Sequence, residues 1–487
     1  ARVAWERGYE GTGVSVAVLD TGIDPDHPDV AGKIVEQVDF TGNANGPRDG
    51  HGHGTHVAAT ILGTGAASDG LRKGVAPGAQ LRVGKICNDG GSCALDAIIA
   101  GMEWAAQTGA RVVNMSIGGG ATDGTDPMSE SLNQLSRTTG TLFVVAAGNN
   151  GPASGTVGAP GAADEALTVA AVDKEDEMAD FSSRGPRVGA GAAKPDIAAP
   201  GVDIVAARAA GTAMGTVVDD YYTTASGTSM ATPHVAGAAA IIAQQHPEMR
   251  GQEIKALLMG TATDLGHDVY AQGVGRVNVG TAVDPTIIPS GSLNFGRLAY
   301  PHSAQVKTVT YTNHTDEAIT LHLSTSIASG DQPAPNGLFS LSTDQVVVPA
   351  RGSAEVSLTL DGRVLGTDGL FGRYTRVLNA RDASNTLRAT TRVNAFVEPQ
   401  RFGLTLKVVP PKDATTVRYG NAVVLPVDDQ DLLHDGPVSL EGAETVTASL
   451  FGGTYAAAVA VEWQDKAGEW HTAVPMAAEG TVTRATT

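Results

Sequence analysis

Continuous apolar runs separated by alanine-rich segments characterise the first 284 residues of the chain. The runs lie at 14–20, 80–87, 110–117, 141–148 and 166–172. Because they do not alternate with polar residues, they are typical of strands buried on both faces, as in a parallel sheet. The segments between them, such as ALDAIIAGMEWAAQTG and ATPHVAGAAAIIAQQHP, have helical patterns. We therefore predict a three-layer α/β domain over residues 1–284, with a parallel sheet and helices on both of its faces.

The pattern changes after this domain. Segments such as QVVVPARGSAEVSLTLDG and LRATTRVNAFVEP alternate apolar and polar residues and are separated by turn residues, which is typical of β-sandwiches. A second block of this kind follows residue 398. We predict two all-β sandwich domains, over residues 285–398 and 399–487.

Composition excludes several partners. The chain has 487 residues, of which 33 are Lys or Arg and 52 are Asp or Glu, giving a formal net charge of −19. This acidic balance argues against nucleic acid or an anionic membrane as the main partner. Nowhere do eighteen apolar residues follow one another, so the sequence predicts no membrane span.

The only two cysteines, Cys87 and Cys93, flank a glycine-rich turn. A disulfide between them would indicate an oxidising compartment, whereas two free thiols would carry no such implication. The pair alone is too small a ligand set for zinc.

Four polar side chains lie where predicted strands end or helices begin, the edge at which α/β proteins form their sites. Asp20 closes one buried run and Asn149 follows another. His53 lies in GHGHGTHVA at the start of a helix. Ser229 lies in ASGTSMATPHVAG, just ahead of a long helix whose first turn we expect to contain Pro233.

The histidine cluster admits two kinds of chemistry. His51, His53 and His56 could share a zinc ion, because imidazoles three residues apart on a helix can bind one metal. That interpretation leaves Asp20, Asn149 and Ser229 without a role. Proton transfer by one of these histidines is the alternative.

The order Asp, His, Ser along the chain, with the motifs HGTHVA and GTSMATPHVAG, resembles the subtilisin-like serine peptidases (subtilases) over residues 5–280. The resemblance implies a catalytic triad in which Asp20 orients His53 and His53 removes the proton of the Ser229 hydroxyl. Asn149 would supply a side-chain donor to the oxyanion hole. His56 would then be a packed structural residue.

The resemblance also implies a substrate cleft in which an extended peptide pairs with two protein segments. These segments are Gly90, Gly91 and Ser92, and Ser116, Ile117 and Gly118. The primary specificity pocket would be walled by Ala147, Gly148 and the second segment, with Gly158 leaving room at its floor. Leu95 would border a roomier outer subsite. Because these residues are uncharged, we expect a large apolar side chain before the scissile bond.

No cofactor is expected for catalysis, and no metal ligand is assigned. Asp29 matches a calcium-ligand position of the family, but the loop that follows lacks the asparagine-rich pattern of calcium-binding relatives, so a structural calcium ion stays unassigned. The resemblance further implies a secreted protein that acts on protein or peptide substrates as a monomer. Its N-terminal propeptide would act as intramolecular chaperone and inhibitor and would be removed. The region after the peptidase resembles a fibronectin type III-like domain.

Two other functions are compatible with these residues. A subtilase-type exopeptidase, or a protease dedicated to maturing one precursor, would use the same triad. A catalytically inactive binding or adhesion protein would need none of it, and the intact set Asp20, His53, Asn149 and Ser229 argues against that function.

Overall fold

The computed structural model of the chain describes residues 1–189, 192–328, 333–366, 370–426, 438–441, 443–451, 453–474 and 476–482. Eight α-helices occur in these residues, all of them before residue 285, and two short 3-10 helices lie at Ala66–Ser68 and Gly362–Leu365. The α-helices are α1 (Arg2–Glu6), α2 (His53–Leu62), α3 (Leu95–Gln107), α4 (Pro127–Thr139), α5 (Thr228–Gln245), α6 (Gly251–Gly260), α7 (Val269–Gln272) and α8 (Val279–Ala282). None of the helices in the described ranges is both long and apolar enough to cross a membrane.

A seven-stranded parallel sheet forms the centre of the α/β part, which confirms the predicted fold class. Its strands are β1 (Ser15–Asp20), β2 (Ile34–Asp39), β3 (Gln80–Lys85), β4 (Val112–Met115), β5 (Leu142–Ala146), β6 (Leu167–Val172) and β7 (Ile197–Pro200). Their spatial order is β2-β3-β1-β4-β5-β6-β7, so β1 is paired with β3 on one side and β4 on the other. The chain therefore changes direction of winding at β1, the place where α/β sheets open a crevice at the carboxyl ends of their strands.

Two strands of this sheet were not predicted. Both β2 and β7 lie at the edges of the sheet, and β2 has only partly buried or exposed residues. Strand β2 lacks the continuous apolar run that identified the central strands, and the apolar run of β7 is only four residues long. A small antiparallel sheet of β8 (Ile204–Ala207), β9 (Thr216–Val217) and β10 (Tyr222–Ala225) precedes the nucleophile segment.

Helix α5 is buried on nearly all sides, in agreement with its uniform alanine-rich sequence. Every residue from Val235 to Ala243 is buried, and the helix packs against α2 and the central strands. Small side chains permit this close approach: a Cβ at Gly237 would lie 2.6 Å from the Cβ of Val75. The amino end of α5 is thereby fixed at the carboxyl edge of the sheet.

The remainder of the described chain is all β, as predicted. Strands β11 (Ile287–Pro289), β13 (Ala304–Asn313), β15 (Phe339–Leu341) and β17 (Ser353–Asp361) form one sheet. A second contains β12 (Leu293–Leu298), β14 (Ile319–Ile327), β16 (Gln345–Val348), β18 (Gly372–Arg381) and β19 (Leu387–Val397). The two sheets enclose one apolar core that includes Tyr311 and Tyr374.

Further strands follow residue 400. They are β20 (Arg401–Lys407), β21 (Thr416–Pro426), β22 (Val438–Leu440), β23 (Thr445–Phe451), β24 (Gly453–Gln464), β25 (Trp470–Ala473) and β26 (Met476–Val482). Strand β20 pairs with β23, and the others form a sheet around β21 and β24.

One buried arginine joins the first β region to the α/β sheet. Arg392, on β19, donates to a carboxylate oxygen of Asp196 at 2.9 Å and to the carbonyl oxygens of Ala193 and Pro195 at 3.0 and 2.9 Å. Asp196 directly precedes β7. Its carboxylate also accepts a bond of 2.6 Å from Lys194.

Candidate active site

The structure brings Asp20 and His53 into direct contact. Asp20 is the last residue of β1 and His53 the first residue of α2, so the strand end and the helix start meet at the crevice. The Nδ1–H of His53 donates to Oδ1 of Asp20 at 2.7 Å. The same oxygen accepts from the backbone N–H of Thr21 at 2.8 Å. Bonding at Nδ1 leaves Nε2 of His53 as a proton acceptor.

The electrostatic surroundings favour a protonated His53. Its burial lowers the pKa, but the charge and hydrogen bond of Asp20, together with the charge of Asp49, raise the pKa above its usual value overall. Asp20 is 1% exposed and its second oxygen has no hydrogen-bond partner among the described residues. Its negative charge therefore acts mainly on the imidazole, as required for a base that must carry a proton during the reaction.

Ser229 lies within the first turn of α5, not ahead of the helix as the sequence suggested. The helix starts at Thr228, and Pro233 lies in its interior instead of its first turn, so that prediction is wrong. Because proline has no N–H, it cannot bond to the carbonyl of Ser229 four residues earlier. The hydroxyl of Ser116 donates to that carbonyl instead, at 2.8 Å.

The Ser229 hydroxyl donates in return to the carbonyl oxygen of Ser116 at 2.9 Å. Within the described residues it makes no hydrogen bond to His53. Rotation about the Cα–Cβ bond of Ser229 is therefore needed before the imidazole can accept its proton. Catalytic hydrogen bonds often close only when substrate binds.

Two potential donors lie on the same side of the nucleophile. A Cβ added to Gly227 would be 3.6 Å both from Nδ2 of Asn149 and from the backbone nitrogen of Ser229. Thr228 orients the amide of Asn149, because its backbone N–H and its hydroxyl both donate to Oδ1 at 2.9 Å. The Nδ2 group is thereby left for another acceptor, such as an oxyanion.

A groove of about 520 Å³ opens beside the Asp20–His53 pair. Much of its lining is apolar, and none of the lining residues is Lys, Arg or Glu. It includes three predicted cleft residues, Ser116, Ile117 and Gly118, together with Gly91 and Leu95; the other apolar contributors include Ile98, Met128 and Pro160. The predicted outer-subsite residue Leu95 is 47% exposed.

The predicted floor of the primary pocket, Gly158, packs closely against the backbone that follows the second cleft segment. A Cβ at Gly158 would lie only 2.2 Å from the carbonyl oxygen of Gly119. Glycine at this position therefore permits a close backbone approach, and the role of Gly158 as pocket floor stays a prediction. Ala147 and Gly148 do not line the groove. Gly148 has φ 106°, and a Cβ there would lie 2.8 Å from the Ser183 hydroxyl.

The segment Gly90 to Ser92 is exposed, as a substrate-pairing edge requires. Its main-chain groups are not all free, however. The carbonyl of Ser92 accepts from the N–H of Asn88 at 2.9 Å, and the N–H of Ser92 donates to the Asn88 side chain at 3.1 Å. Ser92 is therefore engaged inside its own turn, whereas Gly91 faces the groove.

A disulfide joins Cys87 to Cys93 and closes this turn. Both cysteines line the groove beside Gly91. The cross-link thereby restricts the loop that would meet a substrate.

Sequence reasoning missed three residues that hold the site: Thr21, Asp49 and Thr228. All are buried. Thr21 bonds to Asp20 and Thr228 bonds to Asn149, whereas Asp49 accepts from Thr21 and from residues on both sides of His53. Asp49 offered a signal, since a carboxylate shortly before a glycine-rich helix start is a common capping pattern.

The geometry does not fit zinc at the histidine cluster. Nδ1 of His53 bonds to Asp20, and Nε2 of the buried His56 donates to the carbonyl of Ile204 at 3.0 Å. Among the described residues, a compact set of three metal-ligating groups occurs only at Asp465, Glu469 and His471, in the last β region.

Asp29 is hydrogen-bonded at both carboxylate oxygens. Its Oδ1 accepts from the backbone N–H of Ala67 at 2.9 Å, and its Oδ2 accepts from the hydroxyl of Tyr222 at 2.8 Å. These donors give Asp29 a structural role without a metal, and a structural calcium ion stays unassigned. The guanidinium of Arg72, 5.0 Å from the centre of the Tyr222 ring, adds positive charge at this place.

Known proteins match the part of the chain that carries these residues. A model of the Subtilase family matches residues 11–276. Serine protease AprX of Bacillus subtilis (strain 168) is 40% identical over 297 residues, covering 56% of this chain and 66% of AprX. Subtilisin DY of Bacillus licheniformis is 37% identical over 278 residues, covering 57% of this chain and 93% of its own length. For Subtilisin Savinase of Lederbergia lenta the identity is 38% over 282 residues, with coverages of 58% and 95%.

The family match covers more than half of the 487 residues and includes Asp20, His53, Asn149 and Ser229. The β region after residue 285 lies outside it. The chain therefore belongs to the subtilase family and is a serine endopeptidase.

Proposed function

We propose that this chain is a secreted endopeptidase in which Asp20, His53 and Ser229 form the catalytic triad and hydrolyse peptide bonds through an acyl-enzyme. The observation that carries the proposal is the 2.7 Å hydrogen bond between His53 and the buried Asp20, at a crevice that also receives the first turn of α5. Nε2 of His53 is then free to accept a proton.

In the acylation step, Oγ of Ser229 attacks the carbonyl carbon of the scissile bond while its proton passes to Nε2 of His53. The oxyanion that forms accepts hydrogen bonds from Nδ2 of Asn149 and the backbone N–H of Ser229. The carbon–nitrogen bond then breaks, and His53 gives its proton to the leaving amine. Water repeats the sequence on the ester and regenerates the Ser229 hydroxyl.

Large apolar side chains of the substrate suit the groove best. Leu95, Ile98, Ile117 and Met128 contribute apolar surface, and the carboxylate of Asp20 is already engaged with His53. A lysine or arginine of the substrate would lose its hydration without gaining an ionic partner there, which is costly.

Secretion is supported by the Cys87–Cys93 disulfide, because such bonds persist in oxidising compartments. The proposal includes an N-terminal propeptide that is removed on activation and a monomeric mature enzyme, both of which rest on the family resemblance. Protein substrates, not nucleic acid, agree with the formal net charge of −19.

Active-site labelling and product analysis test this function. We expect a sulfonyl fluoride to label Ser229, and Ser229→Ala to be inactive. The matched control is Ser226→Ala, which removes an exposed serine three residues earlier whose hydroxyl bonds to Asp203 and should keep full activity. Asn149→Ala should keep its KM and lose about 100- to 1000-fold in kcat.

Fragments of a denatured protein substrate, identified by mass spectrometry, separate the remaining functions. Internal cuts after large apolar residues support the proposal. Release of only di- or tripeptides from chain ends would indicate an exopeptidase, and cleavage of a single precursor would indicate a maturation protease. Full activity of Ser229→Ala would refute the proposed nucleophile.

A further inference from the structure

Asp49 is a buried carboxylate outside the proposed catalytic set, and it is 4% exposed. Five donor groups point at it. Oδ1 accepts from the Thr21 hydroxyl at 2.9 Å and from the N–H groups of His51 and Gly52 at 3.0 and 2.7 Å. Oδ2 accepts from the N–H and the hydroxyl of Thr55 at 2.9 and 2.7 Å. A turn aspartate seldom gathers so many donors.

These donors belong to the start of α2, whose first residue is His53. The cap position is Gly52, which has no side chain to satisfy the free N–H groups of the first turn. The carboxylate of Asp49 accepts hydrogen bonds from the N–H groups of Gly52 and Thr55. The hydroxyl oxygen of Thr21 accepts a hydrogen bond from the N–H of Gly54 at 2.9 Å. The backbone on both sides of His53 is therefore held by Asp49 and its partner Thr21.

Thr21 also connects this cap to the catalytic carboxylate. Its N–H donates to the oxygen of Asp20 that accepts the His53 ring, and its hydroxyl donates to Asp49. The position of His53 relative to Asp20 thus depends on one continuous set of hydrogen bonds across two separate chain segments.

Charge adds to geometry at this place. The amino end of a helix carries a partial positive charge that disfavours a protonated histidine. Asp49 supplies a negative charge on the same side. The other titratable groups that face His53 are Asp20, the ring of His51 at 6.2 Å between centroids, and His56 on the same helix.

We propose that Asp49 is a positioning residue for catalysis: it fixes the first turn of α2 so that His53 meets Asp20, and it stabilises the imidazolium that forms when His53 takes the nucleophile's proton. This inference rests on the proposed role of His53 as the base. It assigns Asp49 no contact with substrate.

Asp49→Asn tests both parts, because it keeps the shape while it removes the charge and replaces an acceptor by a donor. We expect kcat to fall about 10- to 100-fold with KM unchanged, since a small displacement of a catalytic group costs this much. Asp49 contributes to the raised pKa of His53, so its loss should move the acid limb of the kcat/KM profile to lower pH.

Asp382→Asn is the matched control. Asp382 accepts bonds from the N–H and hydroxyl of Ser384 and the N–H of Thr386 in the β region, so its variant loses a comparable carboxylate far along the chain from His53. We expect it to lower stability and to leave kcat and the acid limb unchanged. An acid limb of Asp49→Asn that coincides with that of Asp382→Asn would overturn the electrostatic role.

Thr21→Val tests the positioning part separately and serves if Asp49→Asn does not fold. It removes the hydroxyl that links Asp49 to the helix but keeps every charge, so kcat should fall about 10-fold without a shift of the acid limb. A wild-type kcat would overturn the positioning role. His53→Ala separates the role of His53 as base from the role of Asp49 as positioning residue. If His53→Ala stays active, the proposed base is wrong, whatever the Asp49 variants do.

Discussion

Arg392 is a buried polar link between the first β region and the α/β sheet, and replacing it by methionine should destabilise the folded chain. Its side chain is 3% exposed and its guanidinium makes three hydrogen bonds to the segment before β7. Arg392→Met keeps the apolar stem and removes all three. The carbonyls of Ala193 and Pro195 then have no other donor among the described residues. Each buried carbonyl left without a donor costs about 1–3 kcal/mol.

The carboxylate of Asp196 limits the damage, because Lys194 still bonds to it at 2.6 Å and Lys255 lies 3.5 Å away. The variant therefore does not leave an isolated buried charge. We expect the free energy of unfolding to fall by about 2–6 kcal/mol, from two buried carbonyls that each lose their donor at a cost of about 1–3 kcal/mol.

Urea denaturation followed by circular dichroism measures this loss, in a Ser229→Ala background that should prevent self-digestion. The matched control is Arg388→Met, four residues earlier on the same strand β19. Arg388 bonds to Asp382 within the β region, and its side chain is 32% exposed, so its loss should cost about 1 kcal/mol or less. Equal stabilities of the two variants would refute the view that the buried contact with Asp196 joins the two regions.

Three further predictions concern other parts of the molecule. Reduction of the Cys87–Cys93 disulfide should raise KM and lower the free energy of unfolding by about 2 kcal/mol, the loop-closure value for so short a loop, and unchanged KM and stability would contradict it. Burial lowers the pKa of His56 to about 4 from a usual 6.5. As the pH falls, the imidazole is therefore protonated in the unfolded chain before it is protonated in the folded one. Stability should therefore decline by up to about 3 kcal/mol as pH falls from 6.5 to 4, and a His56→Gln variant that declines equally would contradict that cause. The melting temperature should be the same in excess calcium and in a chelator, because the Tyr222 hydroxyl donates to one Asp29 oxygen. A higher melting temperature in calcium would contradict this. The Tyr222→Phe variant removes that donor and should lower the free energy of unfolding by about 1–3 kcal/mol.

The central strands and the main helices could be predicted because their signal is local. A continuous apolar run such as 141–148 can satisfy its backbone only inside a sheet and its side chains only inside a core. The uniform alanine content of the α5 segment likewise required a helix buried on all sides. Edge strand β2 escaped prediction because its half-exposed residues carry no such pattern.

The chemistry of the site was encoded in the sequence through short motifs. GHGHGTHVA and GTSMATPHVAG fixed which histidine and which serine to consider, and a parallel sheet required their segments to approach the strand end at Asp20. The resemblance to the subtilases implied the pairing of His53 with Asp20, and the two side chains lie 2.7 Å apart in the structure.

What only the tertiary structure decided are polar contacts between residues far apart in the chain. Pro233 leaves the Ser229 carbonyl without its helical donor, and Ser116, 113 residues earlier, replaces that donor. The backbone of Gly119 approaches Gly158 so closely that a Cβ at Gly158 would lie 2.2 Å from the Gly119 carbonyl oxygen. Apolar periodicity states that a residue is buried but not against what. Hydrogen bonds are directional and reach about 3 Å, so their partners depend on the final packing of strand ends and loops, which no local pattern specifies.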